Sequence, residues 1–345
     1  MSKKTYVQLF SFVYVAFALT VIITSSWIQP FEGDLTRIGR VPENRFGWNQ
    51  PIKVFTEDHS TYYELTGSNY KGTEDYVVFG DSFSHMSMIG SIRAYGWQNF
   101  LYSEAGISAY VYHVLKISIQ EWLEKTPADK LPDYVVFQQV ERSIKVHNQP
   151  HSLCTLKSKS VTSTNDHYSI PFPDNMTEYK RDTGGVLEIN AALHWIRGKF
   201  NPKEKALVFP LKQPDLFTSN DRQNILILPD ELRQNRSVNE ERIDQIACYL
   251  SDLKTRIEAN GRTRFIIAIV PDKFTVYAPY IDANAKSINL SEELENRGLP
   301  LYRFDILFRK VVESGAKDLY LPNDTHWGPE GSRLFASAIL SQMQP

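Results

Sequence analysis

Three side chains that together can move an acyl group stand far apart in this chain. Ser82 ends the run Tyr76-Val77-Val78-Phe79-Gly80-Asp81-Ser82, and Asp324 and His326 lie in Asn323-Asp324-Thr325-His326-Trp327. A serine hydroxyl is a weak nucleophile at neutral pH unless a base takes its proton and a third group orients that base. An imidazole supplies the base, and a carboxylate two residues before it in a loop can reach the ring and hold its tautomer. General base action of this kind contributes on the order of 10²–10⁴-fold. Taken singly the signals are weak, because Gly-Asp-Ser is a common tripeptide and most Asp-x-His pairs are solvated loop residues. Their joint placement singles them out: the serine closes the first apolar strand and the pair opens the last helix.

The elements that must position them read as an α/β fold. Val77, Val78 and Phe79 form a continuous apolar run, expected to be a buried strand of a parallel sheet over 76–80. Gly80 permits a sharp turn, which puts Ser82 at the carboxyl end of that strand, where open α/β sheets place ligands. Residues 84–92 are open to helix or loop, and 97–102 read as a second short strand. Apolar residues from Val111 to Trp122 recur at helical spacing, so a helix is expected over 108–123 with Ser108 as its cap. Another apolar run over 134–137 gives a third strand, and strand–helix–strand order implies a right-handed crossover.

Later in the chain, 237–240 fits a capping box, and Ile243, Ile246, Ala247, Leu250, Leu253 and Ile257 trace one helix face that stops at Gly261. Residues 265–270 form a buried strand closed by Pro271. Lys273 and Tyr277 leave it at the rim shared with Ser82, where they are candidates for binding an acceptor or simply solvated. A last strand is expected at 302–306, a short helix at 306–314, and a final helix from Pro329.

The chain has 345 residues, 42% hydrophobic and 23% charged, enough for one large α/β domain or two modest ones and ordinary for a globular protein rather than a disordered one. A net charge of -2 gives no electrostatic reason to expect nucleic acid as a partner. Lys3 and Lys4 precede a nearly uncharged run over 9–27. That run has the roughly 20-residue length of a membrane helix, and the positive flank implies a cytoplasmic amino end and an exported body. An uncleaved anchor over 1–28 is expected, with a cleaved signal peptide as the alternative, for which Ile23-Thr24-Ser25-Ser26 is a poor cleavage site. Cys154 and Cys248 are the only cysteines; export would let them pair, while a buried free thiol at Cys248 is the plainer reading. Residues 29–75 read as a linker and entry segment, and 76–345 as the main domain, with an irregular insertion at about 147–236. The insertion's aromatics (Tyr168, Phe172, Tyr179, Trp195, Phe200) are expected to pack a satellite core or stack on sugars.

Gly80-Asp81-Ser82, Gly106 and Asp324-Thr325-His326-Trp327, in that order, resemble the SGNH/GDSL hydrolase superfamily. The Asp-x-His-Trp form followed by Gly328-Pro329-Glu330-Gly331, with Val140-Glu141-Arg142-Ser143 after the third strand, is similar to its alginate O-acetyltransferase-related branch. The resemblance implies a three-layer α/β/α sandwich around a flavodoxin-type parallel sheet. It also implies an exported or membrane-anchored enzyme that acetylates exopolysaccharides in bacteria. Arg142 stands about where the superfamily has an asparagine that donates to the oxyanion. A guanidinium can donate there, with the backbone N–H groups of Ser82 and Gly106 completing the hole, or it can pair with a carboxylate. The alginate enzymes place the Asp-x-His segment before the serine, whereas here it follows.

The expected activity is therefore exopolysaccharide O-acetylation through an acetyl-Ser82 ester, by a single-pass protein of the bacterial inner membrane with its catalytic domain in the periplasm. No metal or organic cofactor is required. The expected partners are a polysaccharide acceptor and a multi-pass membrane protein that delivers acetyl groups. Trp327 would pack under the histidine loop or wall a sugar site. The alternatives are a polysaccharide acetyl esterase and a non-catalytic polysaccharide-binding protein on a degenerate SGNH fold.

Overall fold

The computed structural model describes residues 2–27, 32–39, 41–85, 95–144, 169–181, 206–281 and 288–344. Its first helix, α1 (Lys3–Trp27), covers the expected anchor. Among the described residues no helix is long and apolar enough to cross a membrane. This overturns the expected single-pass inner-membrane anchor.

Two short helices follow, α2 (Asp34–Gly39) and α3 (Glu43–Phe46), then strands β1 (Ile52–Phe55) and β2 (Thr61–Tyr62) and helix α4 (Tyr63–Thr66). The central region contains β3 (Tyr76–Gly80), α5 (Trp97–Ala105), β4 (Ala109–His113), α6 (Ile119–Lys125) and β5 (Tyr134–Val140). Shorter strands β6 (Met176–Tyr179), β7 (Leu207–Pro210) and β8 (Asn224–Ile227) precede α7 (Pro229–Ser237) and the long α8 (Glu240–Glu258). Strand β9 (Arg264–Val270) leads into α9 (Lys273–Tyr277), α10 (Leu290–Asn296), α11 (Phe304–Glu313) and α12 (Pro329–Met343).

The central sheet has the order β2-β4-β3-β5-β9, with every pairing parallel. Both faces are covered, which is why its strands read as unbroken apolar runs rather than alternating ones. Val77, Phe79, Val135, Phe137, Ile267 and Ile269 pack with residues of α6, α8 and α10. Tyr76, Val78, Val136 and Ile266 pack on the other face with residues of α5, α11 and α12. Because β3 lies between β4 and β5, the chain leaves it on one side and returns on the other. Its carboxyl end is thus the switch point of the sheet, where a crevice opens, and Ser82 follows there.

Several elements depart from expectation, each for a local reason. Residues 97–102 are helix, not strand: Trp97, Phe100 and Leu101 are buried at i, i+3, i+4 spacing along α5. The helix expected over 108–123 divides into β4 and α6. Ala109, Tyr110, Val111 and Tyr112 are buried consecutively as in a central strand, and Ser118 rather than Ser108 is the cap, accepting from the Glu121 N–H at 3.1 Å. The strand expected at 302–306 is absent because α11 already begins at Phe304. Asn239, not Ser237, caps α8, accepting from the Arg242 N–H at 2.9 Å.

In the stretch read as an insertion, β7 and β8 form an antiparallel ribbon, and β6 pairs with β1. Phe172 and Tyr179 pack against the main core rather than a satellite one; Tyr168, Trp195 and Phe200 lie outside the described residues, as do residues 86–94. Cys248 on α8 is disulfide-bonded, so it is not a free thiol; Cys154 lies outside the described residues.

Phe79 is fully buried on β3, stacked on Tyr112 at 5.1 Å and edge-on to Trp122 at 5.2 Å. Phe79→Ala is expected to cost about 3–5 kcal/mol through cavity formation and lost transfer energy. Urea unfolding followed by circular dichroism would show the shift.

Candidate active site

The turn that presents Ser82 is tied to the neighbouring strand by the residue before it. The Asp81 carboxylate accepts from the Phe83 N–H (3.0 Å), the Gln138 side-chain amide (2.9 Å) and the Val140 N–H (2.7 Å). Ser84 and His85 donate their N–H groups back to the Asp81 carbonyl at 3.0 and 3.1 Å. Gly80 is needed for close approach: a Cβ there would stand 2.4 Å from the Ser84 side chain and 2.9 Å from Gln138 Oε1. The result is a half-buried Ser82 on a turn with little freedom.

The loop before α12 brings the other two groups. His326 Nε2 is 2.7 Å from Ser82 Oγ, and His326 Nδ1 is 2.7 Å from Asp324 Oδ1. The same Asp324 oxygen accepts the His326 backbone N–H at 2.9 Å, so the carboxylate fixes both the ring and its own loop. Asp324 and His326 are buried. Trp327 is fully buried, edge-on to Phe83 at 4.7 Å and tilted on Phe335 at 4.9 Å. It is a wedge beneath the loop, not a wall of an exposed sugar site.

The remaining candidates sit differently from expectation. Lys273 is fully buried rather than on the rim. Its ammonium donates to the backbone carbonyls of Leu321 (2.8 Å), Pro322 (3.0 Å) and Asp324 (3.1 Å), holding the histidine loop from beneath. Burial pushes Lys273 down to about 8, with Glu231 and Asp324 opposing the shift. Tyr277 is also fully buried, packed on Phe217 at 5.0 Å, and cannot reach an acceptor. Arg142 forms an ion pair with Asp272, a buried acid that burial pushes upward and Arg142 holds down. Nearby Glu231 is pushed up to about 8 by burial and by Asp272, with Arg142 and Lys273 opposing the shift. Gly106 has left-handed φ of 70° at the end of α5, and its N–H donates to the Tyr102 carbonyl at 2.8 Å. The Gly106 N–H, one of the three expected oxyanion donors, is therefore committed to its own helix end, and Arg142 directs one N–H group to Asp272.

Sequence reasoning missed Asp34. Its N–H donates to Asp324 Oδ2 at 3.1 Å, and its Oδ1 accepts the Thr325 N–H at 2.8 Å. The Thr325 hydroxyl donates to Asp34 Oδ2, which is 3.7 Å from His326 Nδ1. Around it, Leu35 and Thr36 donate their N–H groups to the Asn323 carbonyl at 3.0 and 3.3 Å, and Asn323 donates to Glu43 at 2.5 Å. Gly33 makes this docking possible, since a Cβ would lie 1.9 Å from the Asn323 carbonyl oxygen. Nothing in a Gly-Asp dipeptide within an apparent linker marks such a role.

Asp34, Asp324 and His326 present donor atoms within 4.8 Å of one another, a spacing that a metal ion accepts. Each of the three is engaged by internal hydrogen bonds, with Nδ1 on Asp324 and the Asp34 carboxylate on Thr325. The arrangement fits a network that orients the imidazole and stabilises its cation better than a cation site.

Lys273→Met leaves buried carbonyls and acids without their cation and is expected to cost about 3 kcal/mol or more in stability, read by urea unfolding. Burial pushes the Glu43 carboxyl up from 4.5 to about 7, against the lowering by its bonds from Thr36 and Asn323. A carboxyl raised in the folded state binds its proton more tightly there than when unfolded. Its contribution to stability is full below about 4.5 and fades as pH climbs through about 7. Across that window it is expected to remove about 3 kcal/mol. Glu43→Gln should flatten this slope, measured as the difference in unfolding free energy between variant and parent at each pH.

Residues 226–345 match the family model described as the SGNH hydrolase-like domain of acetyltransferase AlgX. The matched stretch carries Asp324 and His326; Ser82 lies outside it. The curated proteins and the solved structures contain no match to the chain. Over those residues, about a third of the chain, it is similar to the SGNH hydrolase-like domain of the AlgX acetyltransferase family.

Proposed function

We propose that this protein is an O-acetyltransferase acting on an exopolysaccharide through an acetyl-Ser82 intermediate. The observation that carries the reading is the contact series Ser82 Oγ, His326 Nε2, His326 Nδ1 and Asp324 Oδ1, with both hydrogen-bond distances at 2.7 Å. The match of the histidine-bearing segment to an acetyltransferase domain supports the same chemistry.

In the first half-reaction Ser82 Oγ attacks the acetyl carbonyl carbon of the donor as its proton moves to His326 Nε2. The tetrahedral adduct collapses, the bond to the leaving oxygen or sulfur breaks, and the imidazolium returns the proton to that atom. In the second, a sugar hydroxyl gives its proton to His326 and attacks acetyl-Ser82, and Ser82 recovers the proton as the ester passes to the sugar. Asp324 holds the ring in place and stabilises the cation that forms in each half. The acceptor is a polysaccharide, and the donor is a separate multi-pass membrane protein that hands over acetyl groups.

A second reading, a polysaccharide acetyl esterase, uses the same groups with water in place of the sugar hydroxyl; the hydrolase-like character of the matched domain favours it. Turnover of p-nitrophenyl acetate by the full chain, with and without acetylatable oligosaccharide, separates the two. Transfer predicts acetyl-oligosaccharide at the expense of free acetate, whereas hydrolysis unaffected by oligosaccharide favours the esterase. In either case Ser82→Ala and His326→Ala are expected to lower turnover by at least about 10³-fold. Unchanged turnover in both would favour a non-catalytic protein.

A further inference from the structure

The entry segment docks on the histidine loop through a reciprocal pair of backbone-to-carboxylate bonds. The Asp34 N–H donates to Asp324 Oδ2 at 3.1 Å, and the Thr325 N–H donates to Asp34 Oδ1 at 2.8 Å. Asp34 Oδ2 accepts the Thr325 hydroxyl, and that hydroxyl oxygen is itself 3.3 Å from His326 Nδ1. The same carboxylate oxygen stands 3.7 Å from His326 Nδ1. The Nδ1 side of the imidazole thus faces a second carboxylate from a segment about 290 residues away in the chain.

We propose that Asp34 is a positioning residue for acyl transfer: it holds Asp324 and His326 in register with Ser82, and its charge helps stabilise the imidazolium. The inference rests on the acyl-transfer reading above. When Ser82 gives up its proton, the positive charge spreads over both ring nitrogens. Asp324 meets that charge directly at 2.7 Å, and Asp34 lies just beyond it at 3.7 Å. In a buried site, a charge at this distance is only weakly screened by salt and water. The Asp34 N–H on Asp324 Oδ2 lets the two carboxylates sit close without both depending on the imidazole. A purely structural clamp needs acceptors for the Thr325 N–H and hydroxyl, which neutral groups can supply. A carboxylate aimed toward Nδ1 does more than that.

The test uses the full chain, with p-nitrophenyl acetate as substrate and a fluorophosphonate that labels Ser82. Asp34→Asn keeps the shape and the acceptor but removes the charge. It is expected to lower kcat about tenfold with KM within about twofold, and to slow Ser82 labelling by a similar factor. Added to Asp324→Asn, it should cost less than about twofold, because both groups act through one imidazole. Rates are normalised to the folded fraction by circular dichroism. Asp34→Ser, which keeps a short uncharged acceptor, reads the same outcome in a second background. Labelling and kcat within about twofold of the parent in both variants would overturn the inference. So would an equal loss in the Asp324→Asn background, which marks a general structural effect. No labelling of Ser82 in the parent protein would overturn the acyl-transfer reading and this inference with it.

Discussion

An imidazole from the tail of the chain has to be held against a hydroxyl from its front, and the structure does this by gripping one short loop from two sides. Residues 321–326 have no regular secondary structure to stiffen them. From beneath, the Lys273 ammonium gathers the carbonyls of Leu321, Pro322 and Asp324. From the other side, the segment after Gly33 donates to the Asn323 carbonyl and exchanges bonds with Asp324 and Thr325. Trp327 fills the space below with an aromatic cluster of Phe83, Phe308 and Phe335. A buried ammonium is a costly tether, since desolvation opposes its charge. What it gives in return is a single point that fixes several carbonyls together, which a neutral side chain with fewer donors could not do.

The serine side relies on the sheet. With β3 between β4 and β5, its carboxyl end is the one place where neighbouring crossovers diverge. Asp81 converts that end into a fixed turn by bonding across to Gln138 and Val140 on β5. Just behind the site, Arg142 and Asp272 link the ends of β5 and β9. Residues that looked like substrate contacts are thus the supports of the site: the rim candidates Lys273 and Tyr277 turn inward, and Arg142 pairs with Asp272.

How much of this the sequence revealed follows from how far each signal reaches along the chain. Unbroken apolar runs over 76–80 and 134–137 announced central strands, because burial on both faces leaves no polar alternation. The meeting of Ser82 with His326 was legible from residue type and order alone. Where two periodicities compete the reading failed: Trp97, Phe100 and Leu101 suit a strand by residue type and a helix by spacing, and the helix won. Contacts that form only in the folded chain left no trace. Asp34 sits among prolines and glycines that resemble a linker, and Lys273 looks solvated until the loop closes over it. The expected anchor is not met either: among the described residues no helix is long and apolar enough to cross a membrane.

The central claim is that Ser82 carries an acyl group because His326 takes its proton, and a brief exposure to p-nitrophenyl acetate followed by rapid acid quench and peptide mass spectrometry tests it most directly. The account predicts one acetyl group on the peptide containing Ser82, accumulating in the parent protein and absent when His326 is replaced by alanine. Acetylation spread over lysines, with the Ser82 peptide unmodified or modified equally in both proteins, would contradict it.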